Sequence, residues 1–223
     1  MPTLRAVAAS SLLDVLPDLA TTLGFQLETR FGANSVLHRQ VREGLPVDLL
    51  LSADLGETQK LAKAGSVGSP SVFARNVVEV VVSAKARRHG SASSASLDWK
   101  QANRIAVGRL DTTASGREVR RVLLGSNDLA RLAPRLIQTS TVRQARQLLL
   151  SGEVDIALLF RSDRVAAGSA LASLGPLAGS PPLPCACAVL ISSHQRVLAH
   201  KFQQALLGST ARGILARHGF EAP

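Results

Sequence analysis

The chain has 223 residues, 46% apolar and 3% aromatic, with 26 Lys and Arg against 16 Asp and Glu for a formal charge of +10. That length allows one large core or two of about 100 residues each, and the apolar share excludes global disorder. No apolar run approaches the roughly 18 residues that span a membrane, and the lack of any Tyr removes the stacking platform that single-stranded nucleic acid needs.

Strand and helix signals alternate from the start, which predicts an α/β fold with much parallel sheet. Leu4 to Ala9 reads as a strand, and Leu12 to Leu23 as a helix with Leu12, Val15, Leu16, Leu19 and Leu23 on one stripe, closed by Gly24. Phe25 to Phe31 is a second strand, Gly32 to Ser35 a small-residue turn, and Val36 to Glu43 a short helix stopped by Gly44. Val47 to Ser52 is a third strand, and the helix from about Glu57 to Ala64 ends at Gly65. The β-branched run from Asn76 to Val82 looks central in a sheet, and Lys85 to Ser96 reads as a surface loop before Trp99. Further on come a strand at Ile105 to Val107, a helix at about Ser115 to Leu124, a strand at Leu136-Ile137 and a helix at about Val142 to Leu150. Val154 to Phe160 is a buried strand and Gly175 to Pro184 a connection; Cys185 to Ile191 returns as a strand, before helices at about Val197 to Leu207 and Thr210 to Arg217.

This order suggests two lobes crossed twice by the chain, at Asn76 to Val82 and Cys185 to Ile191. Lobe one is expected at 1–82 plus 188–223 and lobe two at 83–187. Charge follows the division unevenly: residues 1–83 carry −1, residues 84–165 carry +8 and residues 166–223 carry +3. A positive field of this kind steers small anions or attracts an acidic partner. Arg109, Arg117 and Arg161 are candidates to supply charge to such an anion.

Four strand-to-helix junctions share one chemistry: Ser10-Ser11, Gly32 to Ser35, Ala114 to Gly116, and Ser140 to Val142. The first amides of a helix have no acceptor inside it and carry the positive end of its dipole, so small residues there let an anion approach. Taken singly, each junction is an ordinary helix cap. Taken together, they offer the several donors at about 2.7 to 3.0 Å that a tetrahedral oxyanion needs. Cys185 and Cys187 lie on one face of a strand, where a disulfide would be strained, and read as buried apolar residues. His38, His89, His194, His200 and His218 lack metal-ligand spacing, so neither metal nor cofactor is expected. With no phosphate loop, nucleophile elbow or carboxylate pair, the chain does not read as an enzyme.

These residues and their order resemble the periplasmic molybdate-binding proteins of ABC transporters. The resemblance rests on Ala8 to Leu12, Phe31 to Val41, Gly44 to Asp48, Leu51 to Asp54, Ile105 to Gly108, Thr141 to Ala145, Gly152 to Asp155, Ser162-Asp163 and Arg217 to Phe220. It implies the type II periplasmic-binding-protein fold, two α/β lobes with a central ligand cleft and two crossover strands. It also implies a monomer that delivers a small oxyanion, molybdate or tungstate, to a membrane permease from the periplasm. The family's first serine falls on Ser11, beside Ser10; its second falls on Asn34, beside Ser35. Its backbone donors fall on Ser115 and Val142, its tyrosine on Phe160, and its acidic residue after the third-junction glycine on Arg109. The other reading is a cytoplasmic sensing or interaction domain of the same fold. The segment after Met1 has no basic stretch leading into an apolar signal core, so a native signal peptide, if there was one, is expected to have been removed or replaced.

Overall fold

The computed structural model describes residues 2–88 and 99–223. In chain order it contains β1 (Thr3–Ala9), α1 (Leu16–Thr22), β2 (Gln26–Gly32), α2 (Asn34–Arg42), β3 (Leu49–Ser52), α3 (Leu55–Lys63) and β4 (Ser71–Asn76). There follow β5 (Val78–Ser83), α4 (Ala84–Arg88), β6 (Ile105–Gly108), α5 (Ala114–Gly125), α6 (Leu129–Leu132), β7 (Leu136–Thr139) and α7 (Val142–Leu150). The last elements are β8 (Ile156–Phe160), α8 (Arg161–Ala166), β9 (Leu171–Pro176), β10 (Leu183–Val189), α9 (Arg196–Ala205) and α10 (Ser209–Arg217).

Contacts divide the chain into unit 1, residues 1–76 with 182–223, and unit 2, residues 77–181. The joints thus fall after 76 and 181 rather than after 82 and 187. The reason lies in the pairing: β5 is bonded to β8 and β9, and β10 to β3 and β4, so each strand belongs whole to one sheet. The expected continuous strand from Asn76 to Val82 is two, broken at Val77.

In unit 1 the sheet order is β2-β1-β3-β10-β4. β1 is parallel to both neighbours, with Ala9 level with Gly32 and Ala8 with Leu51. Burial on both faces suits its apolar run: Leu4, Ala6, Val7, Ala8 and Ala9 are all interior. Leu37, Val41 and Leu61 from α2 and α3 pack with Val7, Leu50 and Ala188 of the sheet, while buried Phe202 of α9 meets Phe25 edge-on at 5.1 Å. Unit 2 repeats the plan as β7-β6-β8-β5-β9, with β6 parallel to both neighbours and Gly108 level with Thr139.

Several local expectations need correction. The helix predicted from Leu12 to Leu23 is a 3₁₀ turn at Ser10–Leu12 followed by α1, because Pro17 belongs in a first turn and cannot lie mid-helix. Asn34 and Ser35 are not in a turn but open α2. Lys85 lies in α4, not a loop; the rest of that expected loop from 89 on, with His89, lies outside the described residues. β9 runs into the expected Gly175 to Pro184 connection, and β4, α6 and α8 were not anticipated.

Candidate functional site

Ligands of open α/β sheets lie beyond the carboxyl ends of the strands, and in each unit those ends gather the residues singled out above. In unit 1, Ser11 follows β1 and Asn34 follows β2, while Ser52 ends β3; the register sets these three ends side by side. In unit 2, Ser115 lies beyond β6, Val142 beyond β7 and Phe160 at the end of β8, again on adjacent parallel strands.

Ser11 and Ser115 are both buried, at 8% and 0% exposure, and neither hydroxyl has a hydrogen-bond partner among the described residues. An unsatisfied buried hydroxyl costs about 1 to 3 kcal/mol, so two of them call for an explanation. They also occupy equivalent places, each beyond the central strand of a parallel trio. Ser10 and Ser35, their neighbours in the first two junctions, are half-buried.

Asn34 is the first residue of α2, whose N-cap, Ala33, supplies no side-chain acceptor. The Val36 amide already donates to the Ala33 carbonyl at 3.0 Å, which leaves the Asn34 and Ser35 amides as those with no acceptor inside the helix. Asn34 Oδ1 accepts from Ser52 Oγ at 3.0 Å and from the Ala53 amide at 3.1 Å. Behind Ser52, the buried His38 places Nε2 at 3.0 Å from the same hydroxyl. His38 and Ser52 escaped sequence reading, although the four-residue spacing from Asn34 to His38 puts both on one face of α2.

The third junction is the tightest. Thr113 caps α5 by accepting from the Gly116 amide at 3.0 Å, and its own hydroxyl donates to the Arg109 carbonyl at 3.0 Å. Gly116 sits so close that a Cβ would collide with the Gly108 and Arg109 carbonyls. At the fourth junction Thr141 caps α7 through the Gln144 amide at 3.3 Å, leaving the Val142 amide at the helix start with no acceptor inside the helix. Phe160 is buried at the start of α8, and the next amide, Arg161, already donates to the Val77 carbonyl at 2.8 Å.

The three arginines are not loose charges aimed at an anion. Arg161 Nε donates to buried Glu79 at 2.9 Å, alongside Arg164 at 2.6 Å. Arg109 pairs with Asp111 at 3.3 Å; the hydrogen bond between them raises the arginine's pKa and lowers the carboxyl's. Arg117 donates to the Thr112 carbonyl at 3.1 Å. Among the described residues no group of three His, Cys, Asp or Glu could hold a metal ion, and no helix is long and apolar enough to cross a membrane.

A family model described as bacterial extracellular solute-binding protein matches residues 4–221. The molybdate-binding protein ModA of Escherichia coli (strain K12) is 27% identical over 225 residues, covering 96% of this chain and 86% of that protein. The solved periplasmic molybdate-binding protein of Azotobacter vinelandii has a TM-score of 0.84 at 22% identity over 99% of both chains. The sulfate-binding protein SubI from Mycobacterium tuberculosis H37Rv has a TM-score of 0.78 at 19% identity, over 100% of this chain and 87% of that one. The solved structures establish the two-lobe type II fold, and the family is one of binding proteins, not enzymes. With all but a few terminal residues inside the match, the chain belongs to the bacterial extracellular solute-binding proteins.

Proposed function

We propose that the chain binds a tetrahedral oxyanion, molybdate or tungstate first, and presents it to the permease of an ABC transporter. The donors proposed in unit 1 are the Ser11 hydroxyl and the Asn34 amide, and those proposed in unit 2 are the Ser115 hydroxyl and the Val142 amide, beside the apolar Phe160. The observation that carries this reading is the pair of buried, partnerless hydroxyls at equivalent strand ends, Ser11 and Ser115. A hydroxyl kept out of water without a protein acceptor is explained when a ligand supplies one. The identity of the relatives supports the choice of anion: ModA of Escherichia coli is a molybdate-binding protein. On this reading the protein works as a monomer in the periplasm and needs neither metal nor cofactor, since molybdate binds as an anion.

A thermal-shift panel of molybdate, tungstate, sulfate, phosphate, arsenate and small organic acids tests it. Ligand at 100 times its dissociation constant adds about 2.7 kcal/mol, which for a chain of this size raises the unfolding midpoint by roughly 5 to 10 °C. Molybdate and tungstate are expected to give the largest shifts. A panel in which no oxyanion stabilises the protein overturns the proposal.

A further inference from the structure

We propose that His38 is a positioning residue: acting through Ser52, it fixes the Asn34 side chain so that its NH₂ end is the one offered to a ligand. The inference rests on the reading of Asn34 as a ligand donor and deepens it. The argument is a proton count within unit 1. Asn34 Oδ1 has no hydrogen, so the contacts at 3.0 Å from Ser52 Oγ and 3.1 Å from the Ala53 amide both require it to accept. Ser52 has a single proton; the Asn34 oxygen at 3.0 Å takes it in preference to the Asp54 carbonyl at 3.3 Å, which already accepts from Thr58 Oγ1. Ser52 Oγ accepts from the Asp54 amide at 3.0 Å, and Nε2 of His38 stands 3.0 Å away. Thr58 Oγ1, the other hydroxyl near Nε2 at 3.3 Å, donates to the Asp54 carbonyl at 2.8 Å and so also turns a lone pair to the ring. Two hydroxyls with their protons committed elsewhere face one ring nitrogen. The assignment that satisfies these contacts puts the hydrogen on Nε2.

The chain of donors then runs one way, from His38 Nε2 to Ser52, and from Ser52 to Asn34 Oδ1. Rotating the amide by half a turn would set its NH₂ against the Ala53 amide and the Ser52 proton, losing two hydrogen bonds at once. Asn34 is 6% exposed, and among the described residues its side-chain hydrogen bonds all fall on Oδ1. The NH₂ end is a donor and can never accept. A serine at this position could turn its hydroxyl to give or take a proton; the held asparagine cannot, and so favours fully ionised oxyanions over those that keep a proton at neutral pH. His38 and Ser52 thereby make an amide serve where the family resemblance predicts a hydroxyl.

Titration calorimetry with sodium molybdate on four variants reads the relay. His38→Leu is expected to weaken binding about tenfold, the loss of one hydrogen bond to a charged ligand, while His38→Gln, whose amide nitrogen can donate from the same side, stays within about threefold of the parent. In an Asn34→Ser background, adding His38→Leu is expected to change affinity less than about twofold, because a hydroxyl orients itself. Equal losses in both backgrounds mean that His38 only holds the fold, and overturn the inference. A second readout needs no ligand: long-range ¹H–¹⁵N correlation spectra of the unliganded protein should show the Nε2-protonated ring, and an Nδ1–H tautomer overturns the inference. This readout also decides the matter if His38→Leu fails to fold. Absence of molybdate binding by the parent, with the ring protonated on Nε2, counts against the proposed function and not against the relay.

Discussion

Ser11 and Ser115 can be separated from ordinary core hydroxyls by the sign of what their removal does. Ser11→Ala and Ser115→Ala each delete a group with no partner among the described residues, so the unliganded protein should lose nothing and can gain stability, since the penalty for an unmade hydrogen bond goes with the hydroxyl. Against molybdate each should lose about 1.5 to 3 kcal/mol, roughly tenfold or more in affinity. Calorimetry for binding and a ligand-free melt for stability check the two halves; a variant that melts early yet binds normally would mark its hydroxyl as structural. The positions of Ser11, Asn34, Ser115 and Val142 were legible because they sit where a strand pattern gives way to small residues. The contacts of His38 and Ser52 were not. A sequence shows neither that β3 ends beside β2's successor nor which way an amide faces, and both depend on the three-strand register.

Among the elements, legibility followed burial and capping. α7 was read to the residue because Thr141 caps it and Ala145 and Leu149 keep helical spacing on its buried face. β4 and β9 were missed because both are edge strands: half-exposed, carrying Arg75 in one and Gly175 with Pro176 in the other, they show neither clean alternation nor a buried apolar run. The truncation of α1 was written in Pro17, overridden by a persuasive leucine stripe. Elements also differ in how they would fail. Thr141→Ala removes one cap hydrogen bond and should cost about 1 kcal/mol. Gly116→Ala drives a methyl into the Gly108 and Arg109 carbonyls, the second of which accepts from the Thr113 hydroxyl, and should cost about 3 kcal/mol. Denaturant unfolding measures both as a shift in midpoint at constant slope. A Gly116→Ala loss no larger than that of Thr141→Ala would mean that the loop from Arg109 to Thr113 yields easily.

The whole molecule is one sheet plan used twice, three parallel strands followed by two antiparallel ones, with the chain crossing from one unit to the other and back. No repeat is visible in the sequence, since each sheet is assembled from strands in a different chain order and only the backbone plan recurs. The two-unit division was legible from the alternation of strands and helices, but its joints were displaced because an apolar run does not reveal which sheet will claim it. That plan puts β10 between β3 and β4, with Cys185 and Cys187 both fully buried and free. Burial pushes the Cys185 thiol up to about 12 and raises Cys187 as well. Alkylation requires the thiolate and access to it, so at pH 8 the native protein should label only through opening of the unit 1 sheet. Where reclosing is faster than alkylation, the rate follows the population of the open state. Opening that sheet dismantles the register that holds Ser11 and Asn34 together, so the open state should not bind the anion. Molybdate at 100 times its dissociation constant should then slow labelling about 100-fold, whereas chloride at equal ionic strength should leave it unchanged. Labelling that proceeds at the same rate with molybdate bound would place the ligand's donors outside unit 1, and Ser11 and Asn34 would have to be given up as donors.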